Sequence, residues 1–293
     1  NLCDTARKAS FRMVIGDDRP LMDSIQSKYI LLFGWNPLSA TKWSHLPRII
    51  THGVEKGAKL VVVDPYFSYT ANKAHEWIPI RPSTDGAMAL AMGHVIIRDK
   101  LYDEAFIKEW TVGFEQYAEY VKDKTPDWAE KITTVAAKTI ERIAIEFATT
   151  KPQVVDVWSG PGQHSNGVQG GRAIALLAAL VGGYDRPGTL LMPEKKGNKH
   201  IHAHPDETAE KTFKEKRFDE VKEKYPFGHA SGVYCQAFSN LAEGKGPYKP
   251  KMAMIVFQNP MMSVPGTETV AKALGSLEFV VVNDIFLSET ALM

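Results

Sequence analysis

Two cysteines, Cys3 and Cys235, are all that the 293 residues contain, so the chain has neither a disulfide framework nor a CxxC pair for a metal or cluster. A net charge of +1 gives no reason to expect nucleic acid or an anionic membrane as the main partner. No apolar run approaches the length needed to cross a bilayer, and even ALLAALV after Arg172 is short. GxGxxG and GxxxxGK[ST] are both missing, which argues against an ordinary NAD site or a P-loop. Nor is there an initial Met or a signal peptide: the chain opens on Asn1 and stops just after an apolar strand, so it is expected to be a piece of something longer. What remains, 44% hydrophobic and 24% charged, is the composition of a globular protein long enough for two domains.

The pattern alternates strand and helix. KYILLFG is an apolar run of the kind buried in a parallel sheet; HLPRIITHGVEKG has helical spacing and a Gly57 stop; KLVVVDP is the next strand, ended by Asp64-Pro65. A short WIPI strand at Trp77–Ile80 precedes Thr84-Asp85, which can cap the helix GAMALAMGHVIIRDK. Residues 103 to 149 are expected to be helical throughout, with Thr133 capping the last part and Trp110, Phe114, Tyr117 and Trp128 in the core. QVVDVWS is a strand ending in Gly160-Pro161-Gly162, and Ser165 or Asn166 opens a helix through Leu180. Breakers at Gly182-Gly183 and Pro187-Gly188 suggest a first domain over 1–183 and a second over 184–293. Residues 194 to 225, crowded with Lys and Glu, are expected to be a solvated excursion. A second βαβ unit follows: AMIVFQNP, GTETVAKALGSL and EFVVVND.

The two units can be laid over each other. FGWNPLSA, residues 33–40, and MIVFQNPMMSVP, residues 254–265, both end a strand in an Asn-Pro turn; Pro37 to Asp64 is 27 positions and Pro260 to Asp284 is 24. Asn-Pro after a strand is a common turn, and each motif alone is more often structural; the repetition in the same order raises the functional reading. Parallel sheets bind ligands at their carboxyl ends, where an Asp can accept from ribose hydroxyls or a guanine edge and helix starts can donate to phosphate. The fold class expected is α/β: two Rossmann-like three-layer α/β/α domains with mainly parallel sheets, related by pseudo-symmetry.

The ordered series NPLSA, GAKLVVVDP, TANKAHEWIPIRPSTDGAMALAMGHVII, SGPGQHSNG, QNPMMSVP and LEFVVVNDIFLSETA resembles the large subunits of the dimethyl sulfoxide reductase family of molybdopterin oxidoreductases. The resemblance runs over nearly the whole chain except residues 194–250. It implies a bis(molybdopterin guanine dinucleotide) cofactor on molybdenum or tungsten, one dinucleotide in each α/β domain, and oxygen-atom or two-electron transfer in anaerobic respiration or a related pathway. Carried over by motif, Gly34, Asn36, Ser39, Asp64, Pro65, Arg81 and Asp85 would hold one arm, and Asn259, Pro260, Asp284 and Thr290 the other. Gly160, Gly162, Gln163 and His164 are candidates for pterin or substrate contacts, His164 being equally suited to capping or packing. Cys3 matches the place of the family's metal ligand, and a thiolate is a suitable soft ligand; the alternative is an incidental thiol at a frayed end.

The sequence departs from the family pattern at Tyr66, where Arg is common, and at Ser83 and Phe257, where Gly is common. Cys235 is expected to be an inert core thiol. The His200, His202 and His204 run has metal-ligand spacing, yet a solvated loop fits its charged surroundings better than zinc. The resemblance further implies a 4Fe-4S cluster in an N-terminal domain outside this chain, a β-rich C-terminal domain, an iron-sulfur electron-transfer subunit as partner, and a periplasmic or membrane-associated location through partners, with the cytoplasm as alternative. The piece alone is expected to have no turnover. Two rivals stay open: a molybdenum-free relative serving as a structural subunit of a respiratory complex, and a guanine-nucleotide-binding module.

Overall fold

A computed structural model describes residues 3–39, 43–193, 217–220 and 233–293. The chain divides into two compact units, Cys3–Lys195 and Lys196–Met293. In the first, the strands are β1 (Leu21–Met22), β2 (Tyr29–Phe33), β3 (Lys59–Val63), β4 (Glu76–Ile78), β5 (Gln153–Val157) and β6 (Leu190–Leu191). Four of them make a sheet in the order β4-β3-β2-β5, and every pairing in it is parallel. The apolar spelling of β2 is explained by its place: as an inner strand it is buried at all five positions, which requires cover on both faces. Burying each such Ile or Leu contributes roughly 1.5–3 kcal/mol of transfer free energy.

Two long helices pack closely beside this sheet, Asp85–Arg98 and Gly167–Leu180. Their approach depends on Gly86 and Gly170, because a Cβ on Gly86 would lie 2.9 Å from the Cα of Gly170. The expected continuous helical tract at 103–149 resolves instead into four helices: Glu104–Trp110, Phe114–Val121, Pro126–Thr133 and Ala137–Thr149. Left-handed residues at Gly113 and Thr134 and the proline at 126 break it. Thr133 ends the third helix rather than capping the fourth, and its hydroxyl accepts from the Val135 amide at 3.1 Å. Trp110 is 69% exposed, not core, whereas Phe114, Tyr117 and Trp128 pack partly buried against the main core.

Gly182-Gly183 is a turn inside the first unit rather than a boundary. β6 returns to pair antiparallel with β1, and the Tyr184 hydroxyl donates to the Ala175 carbonyl at 2.9 Å. In the second unit, β7 (Met252–Val256) and β8 (Phe279–Asn283) are parallel, joined through the helix Thr267–Gly275. Val264, Val270 and Leu274 form its small core, and Cys235, from the helix Tyr234–Glu243, packs against them. The opposite face of β7 leaves Met252, Met254 and Val256 exposed. The His200, His202 and His204 run and most of the 194–225 stretch lie outside the described residues.

Both departures from glycine have a backbone consequence. Phe257 has φ +54° and donates its amide to Asn283 O at 3.0 Å; at the equivalent place after β2, Gly34 has φ +51° and donates to Val63 O at 2.9 Å. Ser83 likewise has φ +71°. A side chain in this left-handed region costs about 1–2 kcal/mol. Phe257→Gly and Ser83→Gly are therefore expected to stabilise their units by about 1 kcal/mol each, since both side chains are exposed and surrender little packing. Gly34→Ala is expected to destabilise by more than that, as its Cβ would meet the Pro161 ring at 2.2 Å. Urea melts check all three, and a Phe257→Gly protein less stable than wild type would contradict the strain.

Candidate functional site

Because β2–β5 run parallel, their carboxyl ends share one edge, and in register: Phe33 lies opposite both Val63 and Val157. The next residues therefore emerge together. Gly34, Asn36 and Ser39 follow β2; Asp64 and Pro65 follow β3; Arg81 and Asp85 follow β4; Gly160, Gly162, Gln163 and His164 follow β5. The structure thus gathers the candidates of the first unit at one sheet edge, where such folds bind ligands. Gly34 and Gly160 allow the chain after β2 to touch the chain after β5, with the Gly160 amide donating to Gly34 O at 3.2 Å. The glycine-rich segment is a single helical turn, Ser159–Gly162, which leaves Gln163 and His164 exposed.

The electrostatics of this edge are set by two buried carboxyls. Asp85 is 4% exposed, its Oδ1 has no hydrogen-bond partner, and its pKa is pushed up to about 6, mainly by burial and further by the charge of Asp64. Burial also raises the Asp64 carboxyl, although the Tyr66 amide donates to it at 2.9 Å. Asp64 is held in place by its own backbone, whose carbonyl accepts from the Trp77 indole at 2.7 Å. Beside Asp85 opens a cavity of about 860 Å³, lined by the starts of the Asp85 and Gly167 helices, by Pro161 and Asn166, and by Tyr117. Arg81 is exposed, while its backbone is pinned through Thr133 O. A buried carboxylate oxygen without a partner, next to a cavity between two helix N-termini, matches a ligand bearing both N–H or O–H donors and an anionic group.

The Asn of each Asn-Pro turn is tied into its own loop by hydrogen bonds. Asn36 Oδ1 accepts from the amide and hydroxyl of Thr70 at 3.1 and 2.7 Å, and that hydroxyl accepts from the Leu38 amide at 3.1 Å. Asn259 Oδ1 accepts from the amide and hydroxyl of Thr290 at 3.2 and 2.7 Å, and that hydroxyl accepts from the Met261 amide at 3.1 Å. The same knot ties each turn, engaging the Oδ1 of Asn36 and of Asn259 and the hydroxyls of Thr70 and Thr290 within the loop. Pro260 is buried and begins a single helical turn, Pro260–Ser263. Asp284 accepts from the amides of Ile285 and Phe286 and from the Ser288 hydroxyl at 2.7, 3.3 and 3.2 Å. Sequence reasoning missed Thr70 and also Ser68, whose hydroxyl accepts from the Ala71 amide at 3.2 Å and caps the short helix Tyr69–Lys73. The signal was there: D-x-x-x-S-x-T-A is spelled at 64–71 and again at 284–291.

Cys3 is exposed and stands just ahead of the helix Thr5–Ile15. Asp4 beside it is buried and held by Arg19 at 3.0 Å and Lys8 at 3.6 Å. That helix also meets the β5 loop, since a Cβ on Gly162 would lie 3.0 Å from Ala6 Cβ. Among the described residues, no three His, Cys, Asp or Glu side chains form a group that could hold a metal ion by themselves. Nor is any described helix long and apolar enough to cross a membrane.

A family model described as molybdopterin oxidoreductase matches residues 6–293. The chain is 31% identical to the thiosulfate reductase molybdopterin-containing subunit of Salmonella typhimurium, over 99% of this chain and 39% of that protein. It is 33% identical to the arsenate respiratory reductase molybdopterin-containing subunit of Chrysiogenes arsenatis, over 87% of this chain and 34% of that protein. The solved structure of acetylene hydratase from Pelobacter acetylenicus superposes with a TM-score of 0.81 at 26% identity, covering 98% of this chain and 42% of that one. The chain thus spans about two fifths of the length of these proteins, and it belongs to the molybdopterin oxidoreductase family.

Proposed function

We propose that this chain is the dinucleotide-binding part of a molybdenum or tungsten oxidoreductase, holding one guanosine arm of a bis(molybdopterin guanine dinucleotide) cofactor at the strand ends of each unit. The observation that carries this reading is the buried, unpartnered Asp85 Oδ1 beside Asp64 at the carboxyl edge of the first sheet. Its environment leaves an acceptor for the N–H groups of a guanine edge or the hydroxyls of ribose. Amides at the start of the Gly167–Leu180 helix suit a diphosphate, and the Arg81 guanidinium can add charge to it. In the second unit Asp284 takes the place of Asp64, and the Asn259–Thr290 knot repeats Asn36–Thr70; pseudo-symmetry of the two domains is part of the proposal.

Cys3 would supply a soft thiolate to the metal, and the exposed His164 and Gln163 would face pterin or substrate. When bound, the metal and its pterins supply the oxygen-atom or two-electron transfer, while the residues named here bind and orient them. The rest of the polypeptide would add an iron-sulfur domain with a 4Fe-4S cluster and a β-rich domain, and an iron-sulfur subunit would carry electrons, with export to the periplasm. Relatives named for thiosulfate and arsenate favour a small oxyanion as substrate class. A second reading is a hydration reaction on the same scaffold, favoured by the hydratase fold neighbour.

Three measurements test the proposal. The full-length protein is expected to carry one molybdenum or tungsten and to release two guanine nucleotides per metal on denaturation; a metal-free protein that holds full activity overturns the reading. Dye-linked reduction of thiosulfate or arsenate separates oxidoreductase from hydratase. The apo chain also has a predicted pH signature. A raised carboxyl pKa means that the folded state holds its proton more tightly, so stability is greatest below the ordinary carboxylate range and falls as pH rises from there through about 6. Asp85→Asn is expected to remove most of that fall, on the order of 2–3 kcal/mol between pH 4 and 7, leaving the smaller part due to Asp64. Denaturant melts across that range check it, and an unchanged slope in the variant contradicts the assignment.

A further inference from the structure

Arg7 and Asp156 form an ion pair that no step above uses. Asp156 lies within β5, opposite Leu32 of β2, at 1% exposure, and Arg7 is 4% exposed. The guanidinium engages it with both prongs, Nε to Oδ1 at 3.0 Å and Nη2 to Oδ2 at 2.9 Å, and Nη2 also donates to Pro20 O at 3.1 Å. Asp156 Oδ1 accepts in addition from the Val157 amide at 2.7 Å. The guanidinium carbon lies over two aromatic rings, Phe11 at 4.6 Å and Trp158 at 5.2 Å, and Trp158 stacks on Trp35 at 5.2 Å and 16°. Trp35 and Trp158 are the residues next beyond Gly34 and Val157 at the carboxyl edge.

An ion pair this buried is poor value as a stabiliser, because the desolvation of both charges offsets most of their attraction, and apolar residues of the same volume often serve as well or better. What a forked, planar pair supplies is orientation: two parallel bonds fix rotation as well as distance. Arg7 lies in the first turn of the helix that Cys3 precedes, and Asp156 lies in the strand that leads into Ser159–Gly162. The pair is therefore a rigid link between the Cys3 helix and the sheet edge, reinforced where Gly162 meets Ala6.

We propose that Arg7 and Asp156 are positioning residues that set where the Cys3 sulfur stands relative to the cofactor-binding edge. This rests on the reading of Cys3 as metal ligand. Supporting groups of this kind typically change metal affinity or activity by 10–100-fold when altered. The Arg7→Lys side chain keeps the charge and loses the fork; the double variant Arg7→Met/Asp156→Leu removes the charges together and keeps the volume.

The test uses the full-length holoprotein and the electron paramagnetic resonance signal of its partly reduced metal, beside metal content, kcat and thermal melting. Arg7→Lys is expected to keep its metal but to shift the g values and lower kcat about 10–100-fold. The double variant is expected to melt at or above the wild-type temperature and still show the shifted signal, which a merely structural role would not produce. If Arg7→Lys fails to fold, the double variant alone decides. A wild-type signal in a folded, metal-loaded variant overturns the proposal. Cys3→Ser is the separate arm: an unchanged signal there removes Cys3 as ligand, whereas a changed signal with unchanged Arg7 variants leaves the ligand standing and refutes only the positioning.

Discussion

The parallel register of β2 with its two neighbours is the constraint on which the first unit depends. With Phe33 level with Val63 and Val157, the chain leaves all three strands at one height, so Gly34, Asp64 and Trp158 start the edge together. A slip of one residue would turn every inward side chain outward and put Asp156 on the opposite face, away from Arg7. The register is enforced by burial on both faces rather than by any single contact, since β2 and β5 have no exposed position at all. The common height of the strand ends is in this sense a product of the core.

How the loops leave that edge is decided by backbone conformation. Immediately after β2 and after β7 the chain turns through a left-handed residue whose amide still bonds back to the neighbouring strand. The turn then needs an anchor, and in both units an Asn carbonyl oxygen binds the amide and hydroxyl of a Thr six residues beyond the strand-end Asp. Three bonds of nearly equal length in each copy tie the Asn-Pro turn to the loop after the next strand. The two loops are thus tied to each other in each unit. The copies differ in the residue that makes the turn: Gly34 adopts it freely, while Phe257 adopts it under strain with its ring in solvent.

Much of this was legible in the sequence, for reasons that can be named. Inner parallel strands must be apolar on both sides, so YILLF and KLVVV announced themselves, and the Asn-Pro and Asp positions followed from strand ends. The spacing of the Asn-Pro turns exposed the repeat. The hydrogen bonds within it were not legible, because a residue type does not say which of its polar atoms are used inward: Asn36 and Asn259 each tie a Thr to the turn, and Thr70 carries no signal by itself. The break of residues 103–149 into four helices was missed because apolar spacing alone cannot see a left-handed cap on Thr134, a residue that rarely adopts it. The place of residues 184–191 was missed as well, since a two-residue strand pairing across the chain from β1 to β6 carries no periodic signal.

The contrast between Asp85 and Asp156 separates site from scaffold more sharply than any motif does. Both are buried carboxyls at or near the same sheet edge, and desolvation pushes both upward. Asp156 is met by a forked guanidinium and an amide, and that guanidinium itself lies over two aromatic rings, so the cost is answered within the fold. Asp85 has one oxygen answered by nothing in the protein and the charge of Asp64 acting against it. A fold that can enclose one carboxylate so completely has the means to do the same for another. Asp85 is left with an unmet oxygen where Asp156 is not, and this difference supports the proposed role of Asp85 as an acceptor for the cofactor; a donor binding there would return the free energy that the oxygen costs the apo protein.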